Sequence, residues 1–276
     1  MNYFTESSSD QEAAGTRIEH WSEQGLPEKQ LVAPVQSVFS SVQGEGPFVG
    51  YPQLFARFAH CHLKCRYCDT PMQSKTGQCH WEQVPGSGEE TLIENPMSVA
   101  ALSQVLRTQW PKARHHSVSL TGGEPLLYHG FLEQLLPPLY QQGLRFYLET
   151  SATQPVFLQG VLPFIDTVAM DIKLPSATGE PPEYEHQAAF YRLARSSDAF
   201  LFIKLVFDET ILPDELEAIR MIVHETDTPI FLQPVTRHDG SVICTPAALF
   251  DLIATLSQTF ETVRTVPQTH KMLNIA

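Results

Sequence analysis

The sequence predicts one large α/β domain, barrel-like or open, with mainly parallel strands. Two observations carry this. From residue 35 onward, short apolar and β-branched runs alternate with helical runs, the order that builds parallel β/α units with right-handed crossovers. Glycines and polar residues recur directly after those strands, where open sheets and barrels of this kind place their sites. The 276 residues suffice for one such domain or two small ones. Neither a repeat at a solenoid period nor a second domain boundary is visible.

Composition narrows the class further. Hydrophobic residues make up 42% of the chain, enough for a sizeable core. A net charge of −13 argues against a broad nucleic-acid or anionic-membrane footprint. No apolar run approaches a membrane span, and the first residues lack the basic-then-apolar order of a secretory signal. Five cysteines, three of them crowded, do not look like a disulfide framework. Such thiols fit a reducing cytoplasm.

Residues 1–30 set six carboxylates against two cations without sustained periodicity, and read as a mobile N-terminal extension with a short helix near Arg17 to Gln24. The core domain is expected over 31–276. Val35 to Val42 reads as a strand, broken by Gln43-Gly44-Glu45-Gly46-Pro47. Gln53 to Ala59 is apolar on both faces except at Arg57, which suits a sheet covered by helices. Residues 71–97 are polar and Gly/Pro-punctuated and read as an insertion loop able to lid a site. Ser98 caps a helix with Val99, Leu102, Val105 and Leu106 on one face. Further strands are expected at Ser117 to Leu120, Leu144 to Glu149, Asp166 to Ile172, Phe200 to Phe207, Ile230 to Gln233 and Thr262 to Val266. Helices are expected at Phe131 to Gln142 (interrupted at Pro137-Pro138), Gln154 to Leu162, Tyr184 to Arg195, Pro213 to Glu225 and Thr245 to Phe260.

The chemistry concentrates in Cys61-His62-Leu63-Lys64-Cys65-Arg66-Tyr67-Cys68, a C-x3-C-x2-C run leaving a strand end. Structural zinc normally takes four ligands, and thiolates also hold iron–sulfur clusters. Three thiolates without an obvious fourth suggest a cluster with one open iron. Zinc, with Cys79 or His62 completing the set, is the competitor, and inert buried thiols the blandest reading. The other strand-end segments, Gln43–Gly46, Thr121–Glu124, Glu149–Ser151, Asp171–Lys173 and Gln233, are expected to share one rim with the cysteines. Gly122-Gly123 either lets a backbone approach a ligand or forms a tight turn, and Glu124 would accept from an amino group. Thr70 offers a hydroxyl to a hard cation or caps a turn. A guanidinium among Phe55, Ala56, Phe58 and Ala59 must be paired if buried, with a ligand carboxylate or an internal acid. His20, His80, His115, His116, His270 and Lys271 read as surface residues, and Cys244 as a plain thiol.

The cysteine run followed by Thr121-Gly122-Gly123-Glu124-Pro125 resembles the radical S-adenosylmethionine (SAM) superfamily. Ser41 to Gly46, Phe55 to Ala59, Cys65 to Thr70, Thr121 to Leu127 and Gln268 to Ile275 narrow the likeness to 7-carboxy-7-deazaguanine synthases, from about Val35 to the last residue. That resemblance implies a partial (β/α) barrel of radical SAM type. It implies a 4Fe–4S cluster on Cys61, Cys65 and Cys68, SAM on the open iron, and a 5′-deoxyadenosyl radical that takes hydrogen from C6 of 6-carboxy-5,6,7,8-tetrahydropterin. Ring contraction with ammonia loss gives 7-carboxy-7-deazaguanine, a precursor of queuosine-type 7-deazapurines of tRNA. SAM is regenerated and Mg2+ assists.

By position, the resemblance implies that Val42, Gln43 and Gly44 hold the pterin, with Arg57 on its carboxylate and Thr121 and the terminal carboxylate of Ala276 also contacting it. Thr70 is the implied Mg2+ ligand. Tyr67, Gly123, Asp171-Ile172-Lys173 and Phe231-Leu232-Gln233-Pro234 are the implied SAM site. An electron donor of flavodoxin or ferredoxin type and a homodimer are implied as well. The chain departs from the family at His62, where Asn is usual, at Asp171-Ile172-Lys173, where Ser-Pro-Lys is common, and at Ala276, where Pro is common. The Asp-Ile-Lys segment is also similar to glycyl-radical-enzyme activases. An activase and a non-enzymatic metal or electron-transfer protein are therefore the alternative functions.

Overall fold

The computed structural model describes residues 31–68, 70, 77–237, 241–273 and 275. The expected features at residues 1–30, Asp69, 71–76 and Ala276 lie outside the described residues. In chain order the elements are β1 (Val32–Ala33), β2 (Val35–Val42), β3 (Pro52–Phe58), β4 (Gln78–Glu82), β5 (Glu90–Glu94), β6 (Met97–Ser98), α1 (Val99–Gln109), β7 (Ser117–Gly122), α2 (His129–Gln141), β8 (Phe146–Thr150), α3 (Pro155–Leu158), β9 (Thr167–Ile172), α4 (Pro175–Thr178), α5 (Tyr184–Arg195), β10 (Phe200–Phe207), α6 (Pro213–Ile222), β11 (Ile230–Pro234), α7 (Pro246–Leu256), β12 (Val263–Thr265) and α8 (Thr269–Leu273).

Ten strands form one sheet in the order β12-β11-β10-β9-β8-β7-β3-β2-β4-β5, and β1 pairs with β6 apart from it. Every neighbouring pair from β3 to β12 is parallel, as alternating β/α units require. Beyond β3 the direction changes: β2 is antiparallel to β3, β4 parallel to β2, and β5 antiparallel to β4. The sheet is open, since among the described residues no pairing joins β12 to β5.

Strand alternation sorts the side chains into two layers. Leu148, Val168, Ile172, Ile203, Leu205 and Leu232 face outward into one large core built with the helices. Each fully buried side chain of this size contributes about 1.5–3 kcal/mol. Tyr147, Ala169, Phe202 and Phe231 face inward as a separate small cluster, with Phe48 packed against it. Gly46, at φ +62°, lies against the Phe202 ring, where a Cβ would come within 2.7 Å. The concave face therefore has an apolar plug and, along the same strands, a polar layer.

Three expectations need correction. Residues 78–94 are a β-hairpin on the sheet edge rather than loop: Cys79 pairs with Ile93 and Trp81 with Thr91, and Cys79 is buried in the main core. Helix α2 runs through Pro137 and Pro138 without interruption. Its apolar stripe, Phe131, Leu132, Leu135, Leu136 and Leu139, is buried. The carbonyls that the prolines leave unpaired belong to the exposed residues Glu133 and Gln134, where water can satisfy them. Helices α3, α6 and α7 stop at Leu158, Ile222 and Leu256, four, three and four residues short of their expected ends. Ser98 caps α1 as expected, its hydroxyl accepting from Ala101 N at 3.2 Å.

Gly122 and Gly123 lie where two backbones meet. Gly123 N donates to Phe58 O at 2.9 Å and Glu124 N to His60 O at 2.7 Å. Gly122 has φ +107°, and a Cβ on Gly123 would collide with the His60 carbonyl. The close approach these glycines permit is thus to the chain's own segment leading into Cys61. Gly123→Ala is expected to destabilise the protein by about 1–3 kcal/mol through overpacking. A thermal melt unchanged from wild type would show that the contact relaxes at no cost.

Candidate active site

Cys61 follows β3 directly, and the loop it opens is held from two sides. On one side stand the glycine contacts just described. On the other, Arg66 N donates to Thr178 O at 2.9 Å and Lys64 N to Glu180 Oε1 at 2.9 Å. The Arg66 guanidinium also donates to the carbonyls of Ser176 and Ala177. Glu215, buried in α6, accepts from Ser176 N and Oγ and fixes that turn. Cys61, Cys65 and Cys68 are free thiols, and all three line a cavity of about 900 Å3 on the inner face of the sheet. Leu63 N donates to Cys61 Sγ at 3.4 Å. Burial pushes the Cys61 thiol up to about 11, against that N–H and the Lys173 charge, which hold it down. Burial raises Cys65 as well. Metal loading here must release protons.

The zinc reading loses both candidate fourth ligands. Cys79 is in the core on β4. His62 points out of the loop, its Nε2 hydrogen-bonded to Thr153 Oγ1 at 2.7 Å. This contact gives His62 the role that spacing did not reveal: it ties the cysteine loop to the segment after β8. Among the described residues no three His, Cys, Asp or Glu side chains gather as they would around a single metal ion.

The expected single rim is in fact two walls. Because β2 is antiparallel, its last residue Val42 pairs with Pro52, the first residue of β3. Gln43–Gly46 therefore enters from the sheet edge opposite the thiols. Gln43 is buried; its Nε2 donates to Gln53 Oε1 at 2.9 Å and Glu149 Oε1 at 3.0 Å, and its Oε1 accepts from Glu45 N at 3.0 Å. Glu149 also accepts from Ser119 Oγ at 3.2 Å and from Thr121 Oγ1 at 2.6 Å. Val42, Gln43, Gly44 and Thr121 line the cavity.

Two buried lysines sit between these walls. Lys204, in the middle of β10, is 2.7 Å from Glu45 and 3.2 Å from Asp171. Lys173 is 2.8 Å from Asp171, donates to Tyr67 Oη at 3.1 Å and lies 5.3 Å from the Tyr67 ring centre. Burial alone pulls both lysines down; the Asp171 carboxylate beside Lys173, and the Glu45 and Asp171 carboxylates beside Lys204, override it and hold both well above the usual lysine value. Burial raises Glu45, but the Lys204 charge and the hydrogen bonds from Lys204 and Gln268 outweigh it and hold the carboxyl at about 2. Tyr67 is pushed up by burial. Removing one partner of such a pair typically costs about 3–5 kcal/mol.

Arg57 lies on the cavity wall, its guanidinium 5.6 Å from the Phe39 ring centre, and Phe39 stacks on Phe55. Its Nη1 reaches Thr70 Oγ1 at 3.4 Å. Among the described residues no carboxylate pairs with it. Glu124 does not wait for an amino group: Leu126 N, Thr150 Oγ1, Ser151 N and Ser151 Oγ all donate to it, which fills a carboxylate's capacity.

Of the residues implied to hold SAM, Tyr67, Gly123, Asp171, Lys173 and Gln233 line the cavity. Ile172 and Leu232 face the outer core, Phe231 is in the inner plug, and Pro234 is buried away from the cavity. Alternation is the reason: positions 171, 173 and 233 turn inward, so 172 and 232 cannot.

Sequence reasoning missed Lys204, although a lysine inside Phe-Leu-Phe-Ile-Lys-Leu-Val-Phe carries the same signal that singled out Arg57. It also misplaced several histidines. His270 and Lys271 line the cavity, and His270 packs so closely over Gly44 that a Cβ there would overlap its ring. Thr269 N donates to Gly44 O at 3.0 Å. His115 is buried between Trp110 O and Ser40 Oγ, and His116 packs against Phe48 and Tyr51. His80 is exposed as expected, beside Glu90.

The fold and cavity define an α/β protein with an open, mainly parallel sheet and a thiol-lined cavity. It is 38% identical over 246 residues to a 7-carboxy-7-deazaguanine synthase of Geobacter sulfurreducens, covering 87% of this chain and 97% of that one. The chain belongs to the 7-carboxy-7-deazaguanine synthase family, enzymes of 7-deazapurine biosynthesis. A relative of the same name from Methanopyrus kandleri is 32% identical over 253 residues, 87% of this chain and 93% of that one. No protein-family model matches the chain. The fold is shared with the crystal structure of QueE from Escherichia coli, at TM-score 0.55 and 23% identity over 86% of this chain and 94% of that one. No helix among the described residues is long and apolar enough to cross a membrane.

With a pKa of about 2 against an ordinary 4.5, Glu45 contributes stability that is present above pH 4.5 and lost as the pH falls toward 2. Glu45→Gln is expected to flatten the fall of the denaturation midpoint across that window. Parallel profiles for variant and wild type would assign the acid lability to other groups.

Proposed function

We propose that the cavity binds 6-carboxy-5,6,7,8-tetrahydropterin against the Gln43–Gly44 wall and SAM against the cysteine loop, and that the product is 7-carboxy-7-deazaguanine with release of ammonia. Arg57 carries this reading. A guanidinium on the cavity wall, stacked on Phe39 and lacking a carboxylate among the described residues, is a recognition group for a ligand carboxylate.

The residues fit the cofactors that the family implies. Three free thiols share one cavity wall, Leu63 N–H is aimed at one of them, and the Lys173 charge favours the thiolate forms. Asp171 Oδ1 and Gln233 Oε1, buried in two cavity-lining residues, have no hydrogen-bond partner among the described residues, as acceptors kept for a ligand do. A 4Fe–4S cluster held by Cys61, Cys65 and Cys68, together with SAM, supplies a 5′-deoxyadenosyl radical when bound. The chain's own work is placement. Tyr67 and Lys173 stand beside the thiols, Asp171 and Gln233 offer acceptors, and Gln43, Thr121 and Glu149 brace the pterin wall.

Thr70 is the proposed Mg2+ ligand. A guanidinium 3.4 Å from its hydroxyl repels a second cation unless an anion lies between them, and the substrate carboxylate meets that need. Ala276 is proposed to contact the pterin as well. An electron donor of flavodoxin or ferredoxin type, a homodimeric state and a cytoplasmic location complete the proposal on the strength of family membership.

The decisive assay supplies reduced, cluster-reconstituted protein with SAM, Mg2+ and the carboxypterin under anaerobic conditions, and looks for the deazapurine. Failure with an intact cluster and active SAM cleavage would overturn the substrate assignment. Cys65→Ala is expected to lose both the cluster absorbance and SAM cleavage. Arg57→Ala is expected to keep SAM cleavage and weaken pterin binding by about 2–4 kcal/mol, the cost of losing a charged hydrogen-bond partner; unchanged binding would make Arg57 structural.

A further inference from the structure

We infer that Lys204 is a positioning residue that couples the pterin wall of the cavity to the SAM wall, so that the order of one depends on the other. The inference rests on the proposed division of the cavity between the two ligands.

Lys204 touches both walls and belongs to neither. Its Nζ donates to Glu45 Oε2 at 2.7 Å, and the other oxygen of that carboxylate accepts from Gln233 Nε2 and Gln268 Nε2, each at 3.0 Å. Glu45 thereby ties the Gln43–Gly46 loop to the Gln268–His270 segment, beside the Thr269 hydrogen bonds to Gly44 O. On the opposite side Lys204 lies 3.2 Å from Asp171 Oδ2, the same oxygen that receives Lys173 Nζ at 2.8 Å. Lys173 passes the chain on to Tyr67 Oη at 3.1 Å, and Tyr67 stands between Cys65 and Cys68. One unbroken line of charge-assisted contacts therefore runs from Gln268 and Glu45, through Lys204, to the cysteine loop.

Three features make Lys204 the control point. It springs from the middle of β10, whose neighbours β9 and β11 pair with it at Asp171 and Phe231, so its backbone is fixed. Its side chain is only 14% exposed, so solvent screens its ion pairs little. It serves two carboxylates with one ammonium, so a shift of either partner is felt by the other. The pterin side is otherwise bound to the sheet through Gln43 and Glu149, and the SAM side through Arg66 and Glu215. Two links span the two: the Lys204 chain, which reaches the cysteine loop, and the single hydrogen bond from Gln233 to Glu45.

The test is a double-variant cycle in the anaerobically reconstituted holoenzyme, with the dissociation constant of SAM measured by equilibrium dialysis. Glu45→Gln removes the charge that Lys204 pairs with and keeps an amide oxygen that can still accept from Gln233, and is expected to weaken SAM binding about 10-fold, within the usual span of coupling between sites. Lys204→Met is expected to weaken SAM binding at least as much. In the Lys204→Met background, Glu45→Gln is expected to add less than about 2-fold, because the route it acts through is already cut. Lys204→Arg, which keeps the bridging charge, is expected to restore part of the loss.

Unchanged SAM binding in Glu45→Gln overturns the inference, and so do additive effects in the double variant. If Lys204→Met does not fold, Lys204→Gln takes its place in the cycle, and the same non-additivity with Glu45→Gln is required. A wild-type holoenzyme that binds SAM but leaves the pterin unconverted overturns the proposed substrate, and the dialysis comparison still decides the role of Lys204. A wild-type holoenzyme that does not bind SAM overturns both.

Discussion

One buried ammonium organises the inside of this protein. Lys204 projects from a central strand into the cavity and sits between Glu45 and Asp171 at 2.7 and 3.2 Å. A charge this deep is tolerable only because two carboxylates and their own donors surround it. The partners come from distant parts of the sequence: a loop after β2, the end of β9 and, through Gln268, the C-terminal segment. Their convergence needs the sheet to curve, because β2 and β10 are far apart in strand order. The ion pairs are thus a consequence of the curvature and a brace for it.

The cavity has two walls because one strand runs backwards. With β2 antiparallel to β3, its trailing loop enters from the edge opposite the thiols. The space between is lined by alternate residues of the parallel strands, while their neighbours pack against the helices. This explains why Asp171 and Gln233 reach the cavity and Ile172 and Leu232 do not. It also separates two uses of glycine. Gly44 makes room for His270 and Gly46 for Phe202, whereas Gly122 and Gly123 make room for the backbone that carries Cys61.

Much of the parallel half was legible in the sequence. The runs Val35–Val42, Tyr184–Arg195 and Phe200–Phe207 coincide with β2, α5 and β10, because each is a clean apolar or amphipathic segment bounded by turn residues. The cysteine loop was legible because C-x3-C-x2-C has few uses. Strand direction was not: nothing local in Val35–Val42 says which way it runs against a partner that follows a short loop. Nor was the hairpin at 78–94, where Cys79, Trp81 and Ile93 mark an inner face among mostly polar residues. The prolines of α2 misled because their cost depends on which face of the helix they occupy. His270 and His115 were read as surface groups since a histidine's burial is decided by partners elsewhere in the chain. Lys204 was legible in principle, since a lysine within an apolar strand carries the same signal as Arg57.

The central claim is that Glu45, held by Lys204, keeps two remote segments in place as one unit. Hydrogen–deuterium exchange of Glu45→Gln against wild type tests it most directly. Peptides covering residues 43–46 and 266–271 should lose protection together, and the segment at 171–173 should follow, because one shared knot has been untied. Faster exchange confined to residues 43–46, with the C-terminal segment and the end of β9 unchanged, would contradict the account.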